Sequence, residues 1–208
     1  MKTAIALLST IVLSAFGAIA QAETQNTTMI SLPDFGAVAN SEASLDRLDY
    51  GLATRVSTTD LIPNNAYTLW WTVYNYPENC TDGACGTDDV LLTDADGAVI
   101  ITDDGLPPVN LPQWEAVGIS VLRADGMVAD QSGNIAFNAH LPIGDVSEAM
   151  GGPGIVLPGT AEIHLVVRDH GPADPAILND MLNTMNGGCE ADFPNPPCVD
   201  VQVAVFQF

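Results

Sequence analysis

Apolar and polar side chains alternate with a period of two through most of this chain, the spacing of strands with one covered face. The densest run is Tyr67–Asn75, within AYTLWWTVYN. Tyr67, Leu69, Trp71 and Val73 share one side. Ala66, Thr68, Trp70, Thr72 and Tyr74 share the other. The first set is the more apolar and is expected to face a core. The second carries Trp70 and Tyr74, so that face is expected to be half covered, with the polar ends of the rings partnered. Leu52–Thr58 alternates as well. Across the turn Ile62–Asn65 it is expected to form a hairpin-like pair with the aromatic run.

Downstream the pattern repeats. Val117–Val128 reads as a long strand with a turn at Asp125-Gly126, and Asn134–Leu141 as its neighbour. Ala161–Asp169 is a second strong strand, with Ile163, Leu165 and Val167 on its core side and Glu162, His164, Val166 and Arg168 opposite. The end of the chain, VDVQVAVFQF, alternates again, with Val199, Val201, Val203 and Val205 on one side. Upstream, SLDRLDYG reads as a strand or one helical turn. Helical spacing occurs in Pro172–Asn186, where Ile177, Leu178, Met181, Leu182 and Met185 recur and Gly187-Gly188 stops them. Leu106–Trp114 reads as a Pro-rich connector, residues 143–159 as a long Gly/Pro loop, and residues 23–30 as a loose polar arm. Short strands without strand–helix alternation predict an all-β fold. The expected form is a mostly antiparallel β-sandwich, immunoglobulin-like or jelly-roll, with one short helix packed near the C-terminus. Residues 43–208 form its single domain and 23–42 an N-terminal arm.

Residues 1–22 read as a secretory signal peptide. Lys2 gives the positive start, Ala4–Ala20 the apolar stretch and Ala20-Gln21-Ala22 the small-x-small cleavage pattern. The expected location is secreted or periplasmic. Four cysteines agree with an oxidising compartment. They allow three pairings. Local closure, Cys80 with Cys85 and Cys189 with Cys198, is the simplest, and a four-cysteine metal site is the rival.

Charge narrows the partners. The whole chain carries 26 acidic residues against five basic ones, a formal net charge of −21. Beyond residue 22 the only basic side chains are Arg47, Arg55, Arg123 and Arg168. Such a field repels nucleic acid and anionic membrane surfaces, and it favours cations. A sugar, peptide or protein ligand stays open.

Candidate chemistry falls in three places. Asp94-Ala95-Asp96-Gly97, inside the acidic tract that follows Cys85, resembles half of a calcium loop; the alternative is a solvated acidic hairpin. His140, His164 and His170 are the chain's histidines. With Glu162 or Asp169 as an oxygen ligand they could hold zinc or copper if His140 neighbours His164 and the chain turns back at Gly171-Pro172. The alternative pairs His164 with a carboxylate and leaves the others on the surface. Trp70, Tyr74 and Trp114 could line a ligand cleft. No nucleophile elbow, zinc-protease motif, phosphate loop or dinucleotide fingerprint is present, so an enzyme is the minority expectation.

The segments AYTLWWTVYNYPENC and AEIHLVVRDHGPA, with a Cys before an alternating last strand, resemble a group of exported bacterial β-sandwich proteins with no assigned function. The resemblance spans most of residues 50–208 and implies one secreted sandwich. A fainter likeness is to chordin-type repeats and copper-zinc superoxide dismutases. The dismutase pattern requires a His-x-His pair that this chain lacks, so that activity does not carry over. The expected function is therefore an exported acidic binding or interaction module that could depend on a cation. The alternatives are a metal protein using the histidines and a structural surface protein.

Overall fold

The computed structural model describes residues 23–101, 108–189 and 198–208. The expected signal peptide lies outside them, as do Asp103 and Asp104 of the acidic tract. Among the described residues there are ten strands and three short α-helices. The strands are β1 (Glu23–Thr27), β2 (Ile30–Ser31), β3 (Glu42–Leu48), β4 (Gly51–Thr58), β5 (Asn65–Tyr74), β6 (Ile119–Val128), β7 (Ile135–Pro142), β8 (Ala149–Gly151), β9 (Glu162–Pro172) and β10 (Val199–Phe206). The helices are α1 (Thr87–Val90), α2 (Leu111–Val117) and α3 (Leu178–Asn183).

Two antiparallel sheets result, and the expected all-β sandwich is what forms. The smaller has the order β1-β3-β4-β7, and the larger β2-β10-β9-β5-β6-β8. Leu45, Leu52, Val56 and Phe137 of the smaller sheet meet Leu69, Trp71, Val73, Leu165 and Val167 of the larger in one buried cluster. Each is an inward position of an alternating strand. Burying a side chain of this size is worth about 1.5–3 kcal/mol. Trp71 is the largest of the fully buried side chains and sits in the middle strand of that face.

Several expectations change. β4 and β5 are not a hairpin: β4 pairs with β3 and β7, and β5 with β6 and β9. Their apolar sides face each other across the core instead, and residues 59–64 cross between sheets. Likewise β6 and β7 lie in opposite sheets. Asp125-Gly126 is not a turn but part of β6. The N-terminal arm is not loose, since β1 pairs with β3 in one sheet and β2 with β10 in the other. The Pro-rich connector ends in a helix, α2. Proline is compatible with a first helical turn, and Gly118 at φ 64 closes the last one in the left-handed region. The C-terminal helix is shorter than its apolar spacing, six residues in α3. In β10 the inward residues are Gln202, Ala204 and Phe206, while Val203 and Val205 alternate with them and Val201, at a register shift, packs against the core.

The outer face of the larger sheet is also covered. Tyr74 and Ile119 pack there with Val117 of α2 and with Cys80 and Cys85, while Val90 and Trp114 close the edge. The disulfides are Cys80–Cys85 and Cys189–Cys198. At the other end α3 docks on β5 and β6. Three donors from the sheet fix α3 and the turn after it. Arg123 Nε donates to the Leu182 carbonyl at 2.9 Å, Arg168 Nε to Met185 at 2.9 Å and His170 Nδ1 to Gly187 at 2.8 Å. These groups satisfy carbonyls that a helix end leaves without partners. No helix among the described residues is long and apolar enough to cross a membrane.

Candidate functional site

The three histidines are not brought together. His140 is exposed on the outer side of β7 in the smaller sheet, with its ring 5.7 Å from that of Tyr50. His164 lies on the outer side of the larger sheet, so the core separates the two. His164 Nε2 is 2.7 Å from Glu162 Oε1, and its ring is 4.8 Å from that of Tyr74. It is a carboxylate-paired histidine. His170 sits at the far end of the same strand, beneath the turn that follows α3. Alternation puts His140 opposite Phe137 and Leu141, and His164 opposite Ile163 and Leu165, but it does not say that the two outer faces look away from each other.

The aromatic cleft is not formed either. Trp70 is 4% exposed and Tyr74 2%, so the face they share is closed by the covering layer. Trp70 Nε1 donates to Thr68 Oγ1 at 2.6 Å. Trp114 is half-buried against the Tyr74 cluster. Burial raises the Tyr74 hydroxyl, and the negative charges of Asp89, Glu162 and Asp88 raise it further. Tyr67 is raised too, by burial and then by Asp169. Both phenols thus ionise more easily in the unfolded chain, whose value is near 10. Above that pH the unfolded state has released the protons that the folded state keeps, so stability falls as pH rises. Tyr67 and Tyr74 should therefore add tyrosinate absorbance only when the fold opens, and an alkaline titration read together with circular dichroism checks this. Absorbance from all four tyrosines before any loss of ellipticity would contradict the assignment.

In the acidic tract, Asp94 Oδ1 accepts the backbone N–H groups of Asp96 and Ala98, both at 2.9 Å. That is the work of a turn residue, and a bridge between Thr93 and Val99 closes the turn. Asp94 and Asp96 are exposed. Asp89 is different, being wholly buried. It accepts from Thr81 N, Thr81 Oγ1, Gly86 N and the Gln113 side chain at 2.8–2.9 Å. It ties the first disulfide loop to α2. Among the described residues two groups gather three metal-type ligands, His170 with Cys189 and Cys198, and Cys80 with Cys85 and Asp89. Of the positions expected to bind metal, His170 is in the first group, while His140, His164, Glu162, Asp94 and Asp96 are in neither.

What the fold does open is a cleft of about 330 Å³ at one end of the sandwich. Asp34, Asp60, Ile62, Tyr67, Asp169 and Gln202 are among its lining residues. The turn after β2, the crossing between β4 and β5, and the ends of β5, β9 and β10 build it. Asp169 continues the inward series Ile163, Leu165, Val167 and so carries a carboxylate into a core position. It is 5% exposed. Its oxygens accept from Asn65 Nδ2 at 3.0 and 3.1 Å, from Tyr67 Oη at 3.0 Å and from Gly171 N at 2.7 Å. All four contacts come from neutral groups, and no Arg or His pairs with it among the described residues. Tyr67 Oη in turn accepts from Ile62 N at 2.9 Å.

The rim is unusual in its backbone. Phe35, between the lining residues Asp34 and Gly36, has φ 57 and is 79% exposed. Asp60 has φ 61. A phenylalanine gains nothing from the left-handed region, whereas an aspartate can hydrogen-bond locally there. Asp34 accepts from Gly36 N at 3.1 Å, and hydrogen bonds from Ser31 and Gly36 hold its carboxyl below the usual range. The parity of Asp169 was the signal available in the sequence, and its register opposite Tyr67 emerges only in the fold.

Comparison of the sequence with protein-family models and with curated proteins finds no match.

Proposed function

We infer that this protein is an exported acidic binding module whose cleft takes an organic cation, an amine or guanidinium group carried by a small molecule or a basic peptide. The observation that carries the reading is Asp169. A buried carboxylate is costly unless paired, and this one faces a cleft with only neutral donors around it. A ligand cation would supply the missing charge. Asp34 and Asp60 at the rim would draw it in, and the exposed Phe35 and Ile62 offer apolar and aromatic surface for its carbon skeleton. Export is supported by the leader-like residues 1–22, the two disulfides and the dense negative charge. The same charge speaks against nucleic acid and anionic membrane as partners.

Calorimetric titration with spermidine and with arginine amide, at low and at physiological salt, tests the reading. Asp169→Asn keeps the shape and removes the charge. It should weaken binding about tenfold or more, in line with the loss of a charge-assisted hydrogen bond. Asp60→Asn, at the exposed rim, should weaken it less and reduce its dependence on salt. Equal binding by wild type and Asp169→Asn, or no binding of either cation, would sink the reading.

A further inference from the structure

His170 and the second disulfide point to a site of another kind, on the opposite face of β9 from the cleft. The imidazole is 1% exposed and lies beside Cys189–Cys198. Its Nδ1 is 3.4 Å from Cys198 Sγ and 3.7 Å from Cys189 Sγ. A tetrahedral zinc with bonds of about 2.3 Å to sulfur and about 2.0–2.1 Å to nitrogen places sulfur and nitrogen about 3.6 Å apart. Both nitrogen–sulfur distances are near that value, and on reduction the two sulfurs have to separate to about 3.8 Å to share one ion. We propose that reduction of Cys189–Cys198 converts this corner into a Cys2His site for a thiophilic ion such as zinc, so that the same three side chains form either a disulfide staple or a metal centre.

The hydrogen bonds on the Nε2 side of His170 serve both states, whereas metal binding gives up the Nδ1 bond to the Gly187 carbonyl. In the oxidised state Trp70 Nε1 donates to Thr68 Oγ1, and the Thr68 hydroxyl is 2.7 Å from His170 Nε2. The Gly187 carbonyl can only accept, so Nδ1 carries the proton and Nε2 receives the Thr68 hydroxyl's. A metal needs Nδ1 bare. The proton then belongs on Nε2, and the Thr68 oxygen turns from donor to acceptor while still accepting from Trp70. A ligating histidine held through its other ring nitrogen is the usual support for such a site. Cys198 is 3% exposed, whereas Cys189 is partly open, so reductant and ion have an approach on the Cys189 side.

The chemistry balances with a small dithiol. It loses two electrons and two protons to become its own cyclic disulfide, and the Cys189–Cys198 bond takes them up to give two thiols. Metal binding then releases both thiol protons to solvent. The other group that gathers three ligands, around Asp89, does not compete, because both carboxylate oxygens of Asp89 are already occupied by donors.

Cobalt(II) is the probe, since its thiolate complexes absorb by ligand-to-metal charge transfer. The folded protein is titrated anaerobically, oxidised and after dithiol reduction. The reduced protein is expected to take up one cobalt per chain with that absorption, zinc to displace it, and the oxidised protein to show none. Cys80→Ser with Cys85→Ser should leave uptake intact. His170→Gln should weaken it about tenfold or more. Because His170 is buried, Cys189→Ser, at the partly open position and checked for native circular dichroism, is the second variant and should abolish the band. No band in the reduced protein overturns the proposal, as does a band that survives Cys189→Ser or an affinity unchanged in folded His170→Gln. Spermidine binding by the oxidised protein is read separately, so either reading can fail without the other.

Discussion

Replacing Arg47 with methionine is expected to lower stability by about 3–5 kcal/mol, the range for removing one member of a buried polar network. Arg47 is 5% exposed, yet no carboxylate pairs with it among the described residues. Its guanidinium instead donates to carbonyls. Nη1 reaches Pro158 at 2.7 Å and Ala161 at 2.8 Å, Nη2 reaches Phe206 at 3.4 Å, and Nε reaches the Gln25 side chain at 3.0 Å. One side chain on β3 thereby ties the start of β9 and the end of β10 to the smaller sheet. Methionine fills similar space but leaves those carbonyls without donors. Urea unfolding measures the effect as a lower midpoint at unchanged slope. Lysine at this position should recover only part of the loss, because a point charge cannot serve a fork of acceptors. A change under about 1 kcal/mol in Arg47→Met would show that the carbonyls find other partners.

The second large effect is expected at Gly126. A Cβ there would stand 2.1 Å from the Leu182 carbonyl oxygen and 2.9 Å from its carbon. Backbone is what blocks it, so the strain cannot be relieved by turning a side chain. Gly126→Ala should push α3 away from β6 and loosen the Arg123–Leu182 bond. The cost should be about 2–3 kcal/mol, the upper part of the overpacking range. It should also be local. Trp70, 4% exposed beneath this layer, should become accessible to a collisional fluorescence quencher, while Trp71 on the core side stays protected. A variant as stable as wild type, with quenching unchanged, would show that α3 is not seated on the strand as described.

The inward faces were legible in the sequence, and the pairing of strands was not. Period two tells which side of a strand is apolar, and Tyr67, Leu69, Trp71, Val73, Ile163, Leu165 and Val167 were readable for that reason. It does not tell which strand lies alongside. β4 and β5, and β6 and β7, follow each other in the chain, but in each pair the two strands bury their apolar sides against each other from opposite sheets. Trp70 was expected to be half covered. Its cover comes from α3 and the loops around α2, segments whose own patterns look like connectors. Pro112 hid a helix start, and the spacing out to Met185 overstated a helix that ends at Asn183. The expected site residues were chosen by chemistry alone. Histidines and clustered aspartates stand out by type, whereas the buried carboxylate that meets the cleft stands out only by parity. Asp169 occupies a position where the preceding residues call for an aliphatic side chain.

The order of strands in the larger sheet also governs when this chain can fold. β5 takes β9 as a partner, joining Tyr67 to Asp169, and β2 meets β10 through Ile30 and Val203. Closing such long loops costs entropy before any contact rewards it, and folds dominated by distant pairings assemble slowly. The middle strand lacks one neighbour until β9 has been synthesised, and the first residues of the sheet wait for the last. A nascent chain therefore cannot complete this core while its C-terminal strand is still being made. It stays open over that interval, the state in which a polypeptide can still be threaded through a narrow pore.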